Sequence, residues 1–207
     1  MDRGKAKKAP GTGPAEERRI VVCATGASGA RLAQRFLRHL AAHPSVAEVH
    51  FVASEAFKLV AFREDGLSFG DFLKGLPEKR KVTVYSEGQL DASIASGSFP
   101  VDATVILPAS MSTVGALASG AGRNLIHRAG EVALKEGRPL ILVPRETPLS
   151  LIHLRNLVTL KEAGAVIAPF VPAFYQGPRT VEDLVDHFFL RLFDHLGLNS
   201  QLSSRWK

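Results

Sequence analysis

Between Pro139 and Pro148 the chain reads PLILVPRETP. An apolar run bounded by prolines predicts a buried parallel strand, because a strand covered on both faces shows no polar alternation. The run then delivers two adjacent opposite charges, Arg145 and Glu146, and Pro148 prevents the strand from continuing. In an open α/β sheet, ligands sit outside the carboxyl ends of the strands. Charges placed there beside a hydrophobic core must meet each other, water or a ligand, because desolvating them unpaired is costly. An ordinary ion pair at the strand end would satisfy the same residues, so the flanking sequence has to discriminate.

Upstream, residues 19–24 predict a first strand, followed at once by Thr25-Gly26-Ala27-Ser28-Gly29 and a helix over 30–42. Strand, glycine-rich turn and helix form a phosphate-cradling arrangement, in which the free amides of the helix start face an anion. The spacing is neither GxGxxG nor GxSxG, and no Walker lysine follows. A tight turn alone would account for these glycines equally well. Residues 46–54 predict a second strand ending in Ser54, which reads first as an N-cap for a helix over 55–63. The region 66–89 is polar and turn-rich, with one short strand at 81–85, and the serine-rich 93–98 reads as a loop.

Residues 103–107 predict another buried strand, leading through Pro108-Ala109-Ser110-Met111-Ser112-Thr113 into a small-residue helix that ends near Gly120. Hydroxyls at such a junction can cap the helix, hold a polar ligand, or both. A helix over 123–136 places Arg128 and Lys135 seven residues apart, on one face. A solvated basic face is the plain alternative. After the 139–148 strand, an amphipathic helix over 149–163 carries Leu151, Leu154, Leu157 and Leu160. His127 and His153 lie in helices without partners at metal spacing and read as structural; no metal site is expected. A last strand is expected at 165–170. A loop with Pro172 and Pro178 presents Phe174 and Tyr175, and a closing helix over 181–196 carries Arg191. About five apolar strands alternating with helices predict a three-layer α/β/α sandwich with a doubly wound, mostly parallel sheet of flavodoxin or Rossmann type.

The 207 residues are 45% hydrophobic, which suits one domain over residues 19–198 followed by a short C-terminal tail in which Trp206 would have to dock. Residues 1–19 hold six basic and three acidic side chains, so half of the net charge of +6 belongs to a basic leader that reads as disordered over residues 1–18. The body is only mildly basic, which fits an anionic small molecule as well as a polynucleotide, but few aromatics are interleaved with its Lys and Arg, which disfavours a nucleic-acid groove. Cys23, the single cysteine, lies in an apolar run and reads as a packed thiol. No apolar run is long enough to span a membrane and no secretory signal is evident, so a cytoplasmic location is expected.

The segments TGASGA, PASMSTVGALASG, NLIHRAGEVALKEGRPLILVPRETPLSLIHLRN and GAVIAPFVPAFY followed by VEDLVDHFFLRL resemble the flavin prenyltransferases of the UbiX family. The resemblance implies a metal-independent transferase that joins a dimethylallyl group, from dimethylallyl phosphate, to N5 and C6 of reduced FMN. It also implies that the prenylated flavin is passed to a UbiD-type decarboxylase, and that the chain forms a homododecamer with sites at subunit junctions. By matching positions, it assigns FMN to Gly26, Ala27, Ser28, Ser54, Ser110, Met111, Ser112, Thr113, Arg128 and Arg145. The prenyl phosphate falls to Lys135, Arg145, Tyr175 and Arg191, with Ser28, Glu146 and Lys135 in catalytic roles.

Two departures accompany the resemblance. Leu90 stands where some relatives carry an aromatic residue facing the allyl cation, and the basic leader has no counterpart. Glu64 matches a family acid near the site, in a region that aligns weakly. Two rivals remain at this point. A flavin-dependent cysteine decarboxylase of the same fold would need a PxMNxxMW clamp that is absent here. A non-catalytic flavin-binding subunit would not need the set of Lys135, Arg145, Glu146, Tyr175 and Arg191.

Overall fold

A computed structural model describes residues 17–66, 68–200 and 202. Nearly all of the expected leader, and Trp206, lie outside the described residues. Six parallel strands, β1 (Arg18–Ala24), β2 (Val46–Ala53), β3 (Val82–Ser86), β4 (Ala103–Ala109), β5 (Leu140–Pro144) and β6 (Val166–Ile167), form one sheet in the order β3-β2-β1-β4-β5-β6. The order reverses between β1 and β4. Loops leave those two strands in opposite directions, and the crevice between them is the usual ligand position in a doubly wound sheet.

Side-chain alternation explains the two-sided core. On β1, Ile20, Val22 and Ala24 face one layer while Val21 and Cys23 face the other. The first layer is α1 (Ala30–Ala42), α2 (Glu55–Asp65), α3 (Phe69–Lys74) and α7 (Val181–His195). Its aromatic residues cluster: Phe51 stacks on Phe72 with centroids 5.9 Å apart, and Phe36 lies 5.3 Å from Phe189. The second layer is α4 (Met111–Ser119), α5 (Leu125–Lys135) and α6 (Leu151–Glu162). Cys23 is fully buried there, and burial pushes its thiol well up, so it is a packing group and not a thiolate.

Most boundaries shift by only one or two residues, β4 among them running on through Pro108 to Ala109, and four differences have a clear physical cause. The strand β1 starts one residue earlier, at Arg18, whose guanidinium meets Asp102 at 3.4 Å. The helix α3 falls in the region read as turns. Its signal was Ser68, whose hydroxyl caps the Asp71 N–H three residues on. The strand β6 is two residues long and not six; Ala168 adds one hydrogen bond to Leu142 before Pro169, which has no N–H to give. Finally, α6 does not bury its leucine row. Leu160 is buried, but Leu151, Ile152, Leu154 and Val158 are exposed. Residues spaced by three drift around a helix of 3.6 residues per turn, so Leu151 and Leu160, nine apart, lie on opposite faces.

Candidate functional site at the carboxyl edge of the sheet

Thr25 joins the two strand ends at the point where the order reverses. Its hydroxyl donates to the Pro108 carbonyl at 2.8 Å and accepts from the Ser110 N–H at 2.7 Å. The turn that follows is pressed tight. A Cβ on Gly26 would come within 2.6 Å of the Ala56 side chain, and Gly29 has φ +130°, a conformation that side-chain-bearing residues rarely adopt. Ala27 is buried beneath the turn, and Ser28 is exposed on it.

The hydroxyls at the other strand ends do two kinds of work. Ser54 is buried and caps α2 through the Phe57 N–H at 3.0 Å, as its position before a helix leads one to expect. Ser110 caps α4 through Thr113 and also contacts the Ser112 and Thr113 hydroxyls at 2.9 and 3.1 Å. Thr113 and Met111 are buried, while Ser112 is exposed at the crevice end of α4. Arg145 and Glu146 emerge from β5 exposed to solvent. They are not an ion pair: the Glu146 carboxylate accepts from the Thr147 N–H at 3.0 Å, and the Arg145 N–H is tied to the Ala109 carbonyl at 3.2 Å. The plain strand-end salt bridge is therefore not formed.

Ser28, Gly29, Leu107, Pro108, Arg145, Glu146 and Phe170 line one crevice of about 450 Å³. Apolar walls with a cation, an anion and a hydroxyl at the rim suit a flat aromatic ring whose polar edge must be held. The tight turn at Ser28 and Gly29 and the Arg145 guanidinium fit a flavin there. A larger cleft of about 610 Å³ lies between α1 and α7, but its Arg31 and Arg35 are already paired with Asp65 and Asp186. It contains none of the predicted site residues.

The remaining candidates stand elsewhere. Arg128 and Lys135 do share a face of α5, toward the 93–99 loop. Arg128 donates to the Ala95 carbonyl at 2.9 Å, and Lys135 meets Glu136 at 2.8 Å, holding that carboxyl below the usual range. Lys135 ends α5 at the amino edge of the sheet, whereas Arg145 follows the carboxyl end of β5, so roughly 15 Å of strand separates them. Leu90 lines a separate hollow with Arg128 and Glu131. Tyr175 projects from the loop before α7, with its hydroxyl 3.0 Å from His187 Nε2. Arg191, one turn beyond His187, contacts Asp194 at 3.3 Å and is largely exposed. His127 accepts from the Arg123 N–H, and His153 completes a capping box with Ser150, so both are structural.

Reading the sequence alone did not single out His187 or the stitching role of Thr25. A lone histidine inside the apolar run HFFL carries no spacing signal. Thr25 could have been suspected as a hydroxyl at a strand end facing a second strand end.

A parallel sheet with its crevice at the reversal point, a glycine turn, a hydroxyl cluster and a strand-end arginine defines a flavoprotein of Rossmann-like fold. The family model described as Flavoprotein matches residues 9–191. The flavin prenyltransferase LpdB of Lactiplantibacillus plantarum is 44% identical over 92% of this chain and 98% of its own. Among solved structures, a dodecameric FMN-dependent UbiX-like decarboxylase from Escherichia coli O157:H7 superposes with a TM-score of 0.84 at 38% identity, covering 91% of this chain and 99% of that one. AnUbiX (PadA1), solved with FMN and dimethylallyl pyrophosphate, gives 0.85 at 39% identity over 93% and 98%. The chain belongs to the flavin prenyltransferase family, the UbiX family of flavoproteins.

Proposed function

We propose that this chain transfers the dimethylallyl group of dimethylallyl phosphate to N5 and C6 of reduced FMN, in the cytoplasm, and supplies the prenylated flavin to a UbiD-type decarboxylase. The observation that carries this reading is the convergence of Ser28, Arg145 and Glu146 on one crevice at the reversal point of the sheet. Gly26, Ala27, Ser28, Ser54, the 110–113 segment and Arg145 would hold the flavin. When bound, reduced FMN supplies the two nucleophilic positions that take up the five-carbon unit.

The protein's part is to make phosphate leave. As the allylic C–O bond breaks, its electron pair departs on the phosphate oxygen, and fixed cations stabilise that growing charge. Arg145, Lys135 and Arg191 supply these cations, and Tyr175 a hydroxyl. Glu146, exposed beside Arg145, would pass a proton to the leaving phosphate. Ser28 would accept and relay the proton lost at N5. Leu107, Pro108 and Phe170 would keep water from the allylic cation.

Within one chain, Lys135 and Arg191 lie away from Arg145, so the reading requires subunits to assemble, as a homododecamer, with each site completed by neighbours. Exposed apolar side chains support this: Leu149, Leu151, Ile152, Leu154 and Val158 on and before α6, and Val171, Phe174 and Val181 around the start of α7. Such a set is more than isolated surface residues explain.

The test is to mix the protein with reduced FMN and dimethylallyl phosphate under anaerobic conditions and weigh the flavin. A gain of one five-carbon unit supports the reading. Bound but unaltered flavin favours a binding subunit, and release of carbon dioxide from a cysteinyl peptide favours a decarboxylase.

A further inference from the structure

Tyr175 is an exposed ring on a proline-bounded loop, whereas His187 is buried in the middle of α7. The two meet with Tyr175 Oη 3.0 Å from His187 Nε2, and the rings sit edge to face with centroids 5.5 Å apart. The flanking Phe188, Phe189, Leu192 and Phe193 anchor α7 in the core, so the imidazole starts from a rigid base. Arg191 follows His187 by four residues and projects from the same side of the helix.

The direction of this hydrogen bond decides what the phenol offers. With the proton on Nε2, His187 donates to Oη, and the hydroxyl hydrogen of Tyr175 points away from the imidazole. With Nε2 bare, the phenol donates inward to His187 and presents only lone pairs, which repel an anion. A phosphate next to Tyr175 therefore selects the arrangement in which His187 is the donor.

We propose that His187 is a positioning residue that holds the Tyr175 hydroxyl as an outward donor to the prenyl phosphate, on the same strip of α7 as Arg191. This rests on Tyr175 being a phosphate ligand, as the proposed function has it. His187 touches no substrate; it acts by fixing the phenol's place and the direction of its proton. The role is specific to binding, so its loss shows in KM for dimethylallyl phosphate more than in kcat.

The experiment uses the full chain with saturating reduced FMN and measures both constants for dimethylallyl phosphate. Removing one hydrogen bond that orients a phosphate donor predicts that His187→Phe raises KM by about 10-fold, with kcat changed by less than about 2-fold. His187→Gln, whose amide N–H reaches the place of Nε2, restores KM to within about 3-fold of the parent. In a Tyr175→Phe background, His187→Phe adds less than about 2-fold, because the two residues act as one unit. Where His187→Phe does not fold, His187→Asn, whose amide falls short of Oη, takes its place with the same expectations.

Equal KM effects of His187→Phe with and without the Tyr175 hydroxyl, or no rescue by His187→Gln, reduce His187 to a packing residue and overturn the proposal. A normal KM in Tyr175→Phe removes Tyr175 from the phosphate and overturns both readings. Impairment in Tyr175→Phe beside a normal His187→Phe overturns this one alone.

Discussion

Glu64, on α2, accepts a hydrogen bond from the backbone N–H of Gly29 at 3.0 Å, and its second oxygen takes the next amide, Ala30, at 2.8 Å. The first amides of α1, which a glycine turn would offer to a phosphate, are thus held by the protein's own carboxylate. A negative group here also suits the positive end of the helix. Replacing it with alanine leaves those donors to water, so Glu64→Ala should lower unfolding stability by about 1 kcal/mol, the usual cost of a lost N-terminal cap. Glu64→Gln, which keeps one acceptor, should cost less. Denaturant midpoints check this, and an unchanged midpoint in Glu64→Ala would mean that the fork contributes nothing.

Arg145→Ala and Arg191→Ala should remove turnover far more than flavin binding. Loss of a fixed donor to developing charge predicts a fall of about 100-fold or more in prenyl transfer. Anaerobic titration gives flavin affinity, and mass spectrometry of the flavin gives turnover. Normal transfer with retained flavin would show that the phosphate lies elsewhere.

The apolar surface of α6 makes a separate prediction about assembly. Ile152→Asp combined with Val158→Asp places charges where both side chains are exposed in the single chain, so folding should survive. If this face joins subunits, light scattering should show a smaller particle, and transfer should fall with it. A full-sized, active assembly would assign the contact to another face.

Stability should fall on mild acidification. Burial pushes the pKa of His39, His50 and His127 down. The unfolded chain therefore takes up these protons at higher pH than the folded one. Their contribution is complete above the unfolded value, about 6.5, and is lost as the pH drops below it. Glu48, held low chiefly by its hydrogen bond to Arg19, adds a second loss only at lower pH, as it protonates in the folded state. The melting temperature should decline between about pH 7 and about pH 5, and His50→Phe should flatten that slope. A flat profile in the parent chain would contradict the burial argument.

Much of the fold was legible because its signals are local. Apolar runs without polar alternation marked β1, β4 and β5, and Ser54 and Ser110 announced α2 and α4 by their hydroxyls. The short α3 was missed because six residues hold too little periodicity to register. The exposed leucines of α6 were misread because a spacing of three was taken for a stripe, although it winds around the helix.

The sequence by itself determined the strand and helix pattern, the set of candidate residues and the family, since each rests on the order of residues along the chain. Only the tertiary structure decided which of them meet. Glu64 reaches Gly29 across 35 residues, Tyr175 finds a histidine that no motif joins to it, and Lys135 is carried to the opposite edge of the sheet from Arg145. Contacts of that kind depend on how helices pack across strands, and chain order alone does not encode the distance between two elements' ends.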